Sequence, residues 1–309
     1  MDSSACAENA ANDSSFEPYP PSFSIRLSQS GDSEANFRTE DDPEDPDQRS
    51  NVIQRRGIFY ADCFCTDIVH GYYSADPNSN DLASVIVLKF RFEPLEQNHR
   101  IKKVDIQVTF SPKNNEDREP WIDRMHPEGF FSVQPTTQRE TVNTLAGGKV
   151  GANATGVEVG AELKREKTVE RDTSDATTVQ GFILTEGRNY GKPNSVSWIL
   201  RENKSTKSGV PTSLQAAILL KRIDLSKFQA HFTLKIYPNW LATALSFMKS
   251  NPRDDPVTFD PRRKPTNRLQ VYNTDDLGNP EKLKLEDLSD VTVTTIVNDA
   301  VKQKKPENK

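Results

Sequence analysis

The stretch FQAHFTLKI, residues 228–236, alternates apolar and polar side chains without a break. Side chains on a β-strand point alternately to its two faces, so this period of two predicts a strand with one buried and one wet face. The stretches IVLKFRF, residues 86–92, and VDIQVTF, residues 104–110, repeat the pattern. Together they predict sheets that each bury one side against a shared core.

Further apolar runs follow along the chain, separated by turns that contain Gly, Pro or Asn. The stronger runs lie at residues 157–163, 178–184, 196–200 and 214–220, and the weaker ones at residues 269–272 and 291–297. Helical spacing is found at residues 240–249. We predict an all-β fold, an antiparallel two-sheet β-sandwich of the immunoglobulin-like or jelly-roll-like kind, with at most one or two short helices.

The charge of the chain divides it into three parts. Of the 309 residues, the first 54 hold 12 acidic and 3 basic residues, whereas residues 302–309 carry a net charge of +3. The total of −5 leaves +1 for the residues between. A segment so rich in charge buries too little apolar surface to offset its ordering entropy. We predict a disordered acidic arm at residues 1–54, a single sandwich domain at residues 55–301 and a disordered basic tail at residues 302–309.

Cysteine usage favours a reducing compartment. Cys6, Cys63 and Cys65 are an odd, sparse set, which is typical of free thiols. The first 25 residues lack the basic and apolar regions of a secretory signal. The longest apolar runs, residues 85–88 and 216–220, fall far short of the ~20 residues of a spanning helix. We predict a cytoplasmic protein, with the nucleus left open, and no transmembrane segment.

Two motifs that suggest a cofactor fail in detail. GGKVG, residues 147–151, resembles a phosphate loop, but its Lys is followed by Val where that loop requires Ser or Thr. Cys63, Cys65, Asp67 and His70 include zinc-type ligands, but no second ligand pair with matching spacing is found. Core packing of the thiols is the favoured interpretation. The sequence therefore predicts no cofactor.

Acidic loops hold the better candidates for a cation site. They contain five aspartates: Asp254, Asp255, Asp260, Asp275 and Asp276. Loops at one end of a sandwich can pool carboxylates around calcium, which takes six to eight oxygens. Aspartate is also common in solvated turns, and that is the favoured interpretation. The five remain weak metal candidates.

Catalytic chemistry is sparse in this sequence. The chain has four histidines and no Gly-x-Ser-x-Gly motif. His126 with Asp123 is the strongest acid–base pair, and both remain weak candidates. The sequence leaves enzymatic activity open and leans against it.

Basic residues cluster at residues 201–207 and 262–268. Binding to phosphates requires a broad basic footprint, which a nearly neutral body with an acidic arm does not supply. We therefore predict no nucleic-acid partner.

SWILREN at residues 197–203, GVP at 209–211 and AILLKR at 217–222 resemble a pattern in uncharacterised proteins of filamentous ascomycete fungi. The resemblance implies a fungal intracellular protein and brings no activity, cofactor or site. The residues themselves predict two neighbouring strands in which Trp198 fills the core beside Ile218 and Leu220.

Three functions from different classes follow. The preferred one is a non-enzymatic sandwich that binds another protein or scaffolds an assembly, with the acidic arm as a solubilising or docking segment. The second is a small-molecule or carbohydrate binder, or an enzyme on an apolar metabolite, with a pocket lined by Trp121, Trp198, Trp240 or tyrosines. The third is calcium-dependent membrane association through the acidic loops. The oligomeric state is left open.

Overall fold

A computed structural model describes residues 39–95, 99–146, 165–239 and 254–293, and gives only the backbone of residues 134–146 and 165–174. These residues belong to a compact unit that runs from Glu34 to Lys309. They form two antiparallel sheets whose inner faces share one apolar core, so the predicted two-sheet β-sandwich is confirmed. The described helical structure is a 3-10 turn at Glu286–Leu288.

The front sheet has the order β11-β10-β4-β8-β7-β6. Its strands are β4 (Ile101–Pro112), β6 (Gly129–Ala146), β7 (Arg165–Leu184), β8 (Ser195–Arg201), β10 (Phe228–Pro238) and β11 (Val257–Phe259). The alternation at residues 228–236 places Phe228, Ala230 and Ile236 in the core and His231 on the exposed face. The period of two thus predicted this strand and its buried face correctly.

The back sheet has the order β1-β2-β3-β9, and both β12 and β5 pair with the remaining edge of β9. Its strands are β1 (Asn51–Arg56), β2 (Phe59–Tyr72), β3 (Leu82–Pro94), β5 (Trp121–His126), β9 (Ser213–Arg222) and β12 (Asp290–Thr292). Its central strands β3 and β9 contain the two continuous apolar runs, because both faces of this sheet are covered there.

A C-terminal strap, residues 266–288, covers the outer face of the back sheet. Its apolar side chains form a second core with β2, β3 and β9: Tyr272, Leu277, Leu283, Leu285 and Leu288. The approach is close at Gly71, where an added Cβ would lie 2.0 Å from the carbonyl oxygen of Thr274. The strand predicted at residues 269–272 is wrong, because this segment has no strand partner and is held by side-chain contacts.

Asp67 holds the strap on the sheet. Its carboxylate is fully buried and accepts hydrogen bonds from the backbone N–H of Arg268 (2.7 Å) and Leu269 (3.0 Å). It also accepts from the hydroxyls of Thr266 (3.0 Å) and Tyr272 (2.7 Å). Burial and the neighbouring carboxylate together raise the pKa of Tyr272, so this phenol stays protonated and donates. Four donors around one carboxylate make its burial tolerable.

Trp198 occupies the core as predicted, but its neighbours differ from the prediction. It is fully buried, and its ring centroid lies 6.2 Å from that of Phe90 in the back sheet. Its Nε1–H donates to the carbonyl oxygen of Pro127 at 3.0 Å, in the connection from β5 to β6. The strands β8 and β9 do not neighbour each other, because residues 202–212 cross from one sheet to the other. Ile218 and Leu220 therefore belong to the facing sheet.

Residues 39–50 lie against the body, and β1 begins at Asn51, so ordered structure begins before residue 55. Two acidic side chains of this stretch have basic partners in the body: Asp47 pairs with Lys227, and Asp45 pairs with Arg263. The predicted strand at residues 157–163, the predicted helix at residues 240–249 and the basic tail lie outside the described residues.

We expect Trp198→Ala to lower the free energy of unfolding by about 3–5 kcal/mol, because it empties a core position and removes the donor to Pro127. Urea unfolding followed by circular dichroism measures the loss. Tyr190→Ala, at a position 82% exposed, is the control and should change stability by less than about 0.5 kcal/mol. Equal stability of the two variants would contradict this placement of Trp198.

Asp67→Asn should destabilise the protein by about 2–4 kcal/mol, because an amide cannot accept all four hydrogen bonds. Hydrogen exchange should show the loss first in residues 266–288. The control is Asp290→Asn, whose exposed side chain accepts a hydrogen bond from the hydroxyl of Thr292 at 3.0 Å and should matter by less than about 1 kcal/mol. Unchanged hydrogen exchange in residues 266–288 of the Asp67→Asn variant would contradict the role of the Asp67 carboxylate in holding the strap.

Candidate interaction site

The predicted acid–base pair lies on β5, but its side chains have different partners. The Asp123 carboxylate accepts from the hydroxyl of Tyr73 at 3.2 Å and from Nε of Arg124 at 3.3 Å. The His126 ring packs edge-on against Phe131, with 5.5 Å between centroids, and burial lowers its pKa. No hydrogen bond in the described part of the chain joins the two. The geometry gives them no shared chemistry.

The five aspartates proposed as calcium ligands are distributed among separate contacts. Three of them have a cationic partner: Asp254 with Arg55, Asp260 with Lys227 at 3.4 Å, and Asp276 with Lys282 at 2.7 Å. Asp255 donates its N–H to the carbonyl of Thr39, and Asp275 lies in an exposed turn. Within the described ranges, no three His, Cys, Asp or Glu side chains cluster in a way that could hold a metal ion.

Cys63 and Cys65 are free, buried thiols on β2, as expected of small core side chains. Burial raises the pKa of Cys65 to about 12 and raises that of Cys63 as well. The thiols therefore stay protonated, and a protonated, buried thiol is a poor nucleophile and a poor metal ligand.

A buried polar network, which the sequence did not indicate, surrounds His70 at one end of the core. Nδ1 of His70 lies 2.7 Å from Oγ of Ser84, which accepts from Nε of Arg222 at 2.8 Å. The side-chain amide of Gln48 lies 2.6 Å from the other ring nitrogen of His70 and donates to the carbonyl of Asp260 at 3.1 Å. A serine beside a histidine is the arrangement of a nucleophile and its base, but Ser84 is 0% exposed and no substrate could reach it. The network closes the end of the core.

Burial also determines the charges in this network. It lowers the pKa of His70 to about 3, and the nearby Arg222 guanidinium adds to the effect. Burial lowers the pKa of Arg222 itself to about 10. His70 is therefore neutral at pH 7, and Arg222 carries the charge of the network.

Two surface depressions lie beside the C-terminal part of β3, at residues 89–94. One, of about 370 Å³, is lined by Tyr60 and Arg91, and the other, of about 480 Å³, also contains Arg91. Arg91 pairs with the buried carboxylate of Asp62 and lies over the rings of Tyr60 (5.8 Å) and Phe64 (5.6 Å). Of the aromatic side chains predicted for a metabolite pocket, a tyrosine, Tyr60, lines the first depression, whereas Trp121 and Trp198 line neither and Trp240 is outside the described residues.

The longest edge strand among the described residues is β6, at one end of the front sheet. β6 is 18 residues long, and its pairing in the described residues is with β7 alone. β7 pairs with β8 only from Thr178 to Leu184. Residues 136–146 and 165–175 therefore continue beyond the sheet as a two-stranded ribbon. Within the described residues, the backbone N–H and C=O groups along the outer edge of β6 have no strand partner.

Three apolar side chains are exposed at the base of this edge. Phe130 on β6 is 64% exposed, and Phe182 and Leu184 on β7 are 41% and 38% exposed. Phe130 pairs with Gln180, so Phe182 is its diagonal neighbour on the same outer face. The core-facing side of the same strands contains Val179 and Phe131. The β6 edge thus combines open backbone groups with an apolar patch.

The other sheet edges are short. The outermost strands β1, β5, β11 and β12 are 6, 6, 3 and 3 residues long. Short edge strands are a usual protection against unwanted pairing, and β6 lacks that protection. Sequence reasoning identified β7 but not this edge, because strand order is not encoded in local periodicity.

No protein-family model matches the chain, and no curated protein matches it. Among solved structures, the chain is similar to the NetB toxin of Clostridium perfringens in its membrane-inserted form, with 11% identity, 70% of this chain and 90% of that chain covered, and a TM-score of 0.29. A structure described as a pore forming protein is 10% identical, with 66% of this chain and 83% of that chain covered and a TM-score of 0.31. Clostridium perfringens delta-toxin is 10% identical, with 72% of this chain and 92% of that chain covered and a TM-score of 0.27. These similarities are weak, and no function is carried over from them. The described residues contain no helix that is long and apolar enough to cross a membrane.

The His70 network predicts a specific acid sensitivity. The pKa of His70 is about 3 in the folded chain and about 6.5 when unfolded, so the unfolded chain binds more protons between these values and stability falls on acidification. From pH 6.5 to pH 5 we expect this group to remove about 2 kcal/mol of unfolding free energy. Urea unfolding across that range measures it.

His70→Gln should lack this part of the pH dependence, whereas His231→Gln, on the exposed face of β10, should retain it. The assignment fails if the pH profiles of wild type and His70→Gln run parallel.

Proposed function

We propose that this protein is a protein-interaction module that binds an extended segment of another protein along β6. The observation that carries the proposal is the 18-residue edge strand with β7 as its one described strand partner. An extended peptide gains affinity at such an edge by adding a strand, through main-chain hydrogen bonds. Side chains that alternate along the added strand then supply specificity.

The exposed apolar patch supports the proposal. A strand added beside β6 places its outward side chains next to Phe130, on the face that also exposes Phe182 and Leu184. Burial of one exposed phenylalanine contributes about 1.5–3 kcal/mol. We therefore expect the bound segment to contact the base of β6 with apolar residues.

The ribbon beyond the sheet supplies further backbone groups that have no strand partner among the described residues. Its two strands, residues 136–146 and 165–175, are rich in Thr, Arg, Lys and Glu. Paired register places Arg139 opposite Asp172 and Glu140 opposite Arg171. The buried free thiols Cys63 and Cys65 support the intracellular location that we include in the proposal.

A displayed peptide library screened against the full chain tests this proposal. We expect enrichment of extended peptides with alternating apolar residues, and slower amide exchange in residues 129–146 when such a peptide binds. Phe130→Asp should weaken binding about 10- to 100-fold, because it removes an apolar contact.

Val271→Asp is the matched control, since Val271 is 86% exposed and lies in the strap, and it should bind like wild type. Protection at other strands, equal binding by Phe130→Asp, or no enrichment at all would each overturn the proposal.

A further inference from the structure

The opposite edge of the front sheet is already occupied by a segment of the chain itself. β11 is three residues long, and Asp47 forms a parallel β-bridge with its central residue, Thr258. The N–H of Gln48 donates to the carbonyl oxygen of Thr258 at 2.7 Å. Residues 41–48 thus lie on the edge of β11 in the manner of a short added strand.

Acidic side chains of this segment meet basic side chains of the body. Nζ of Lys227 lies 2.6 Å from the Asp47 carboxylate and 3.4 Å from that of Asp260. The Arg263 guanidinium holds the Asp45 carboxylate through both of its terminal nitrogens and lies 4.0 Å from Asp47. These contacts lower the pKa of Asp45 and raise that of Lys227, as expected of paired charges.

Contacts on both sides of residues 41–48 hold the segment along residues 254–263. The N–H of Asp255 donates to the carbonyl of Thr39 at 3.1 Å, and the N–H of Thr39 donates to the carboxylate of Asp254 at 2.8 Å. On the other side, Arg49 donates to the carbonyl of Asp255 and pairs with Asp41. The acidic stretch is therefore fixed at its ends, and its middle reaches the basic side chains.

The ion pairs in the middle are accessible to water. The side chains of Asp45 and Arg263 are 58% and 36% exposed, and in the second pair Lys227 is 39% exposed whereas Asp47 is 11% exposed. Exposed pairs are weak and are screened by salt, so a competing anionic segment can replace them.

We propose that the edge of β11 together with Lys227 and Arg263 is a docking site for an acidic, extended segment of a partner protein, which residues 41–48 occupy in cis. The acidic segment of the chain acts as an internal competitor, and a partner binds when its own segment displaces it. This site lies at the other edge of the front sheet from β6, so it is separate from the function proposed above.

The chemistry at the edge selects a peptide as the occupant. The bridge to Thr258 requires a backbone N–H, which the internal segment supplies from Gln48 and a nucleic acid lacks. The basic groups then select acidic side chains close to that bridge, as Asp45 and Asp47 are in the internal segment. A partner of this kind carries acidic residues in an extended, unpaired stretch.

The test uses the full chain and a labelled synthetic peptide with the sequence of residues 39–50. Asp45→Asn combined with Asp47→Asn removes the internal ion pairs, and we expect this variant to bind the peptide at least about tenfold more tightly than wild type does. Binding should weaken with salt. Asp42→Asn with Glu44→Asn is the matched control, because it removes the same charge from exposed positions of the segment, and it should behave as wild type.

Adding Arg263→Gln or, separately, Lys227→Gln to the Asp45/Asp47 variant should abolish the gain, and circular dichroism should show that each variant remains folded. The proposal is overturned if wild type and the Asp45/Asp47 variant bind the peptide equally. It is also overturned if the basic substitutions leave binding unchanged, or if a single-stranded oligonucleotide binds the variant more tightly than the peptide does.

Discussion

The Asp67 carboxylate is the contact on which the covering of the back sheet depends. The strands β3 and β9 are apolar on both faces, so the sandwich needs a second layer outside the back sheet as well as the front sheet inside it. The strap supplies that layer without forming a strand, and its four hydrogen bonds to one buried carboxylate hold it in register. A polar group at the centre of an apolar contact thus fixes where the strap lies.

Sequence periodicity predicted the strands whose two faces differ. β10 and β4 alternate because one face is core and the other is wet, and both were identified with the correct buried side. The alternation at residues 86–92 predicted one buried face for β3, but Val87 on the other face is also buried, because residues 266–288 cover it, and nothing in that segment identified it as the cover. An irregular segment has no period, and apolar residues at positions 269–272 imitated a weak strand.

The candidate sites were less predictable than the fold, since they depend on pairings between distant parts of the chain. The composition of the acidic stretch predicted disorder. Asp45 pairs with Arg263, which is 218 residues away, and composition contains no information about pairs so distant in sequence. The β6 edge depends on strand order, which local patterns do not determine. The free thiols at Cys63 and Cys65 were predictable, because a sparse, odd set of cysteines is a property of the sequence itself.

The strap also constrains the order in which the chain can complete its fold during synthesis. Asp67 and Tyr272 are 205 residues apart, and Arg55 and Asp254 are 199 apart. These contacts of the N-terminal strands therefore form only after the C-terminal residues have been synthesised. Until residue 288 has left the ribosome, the outer face of β3 and β9 remains an uncovered apolar surface. Contacts so distant in sequence form slowly in general, so this surface is open to aggregation until the strap covers it.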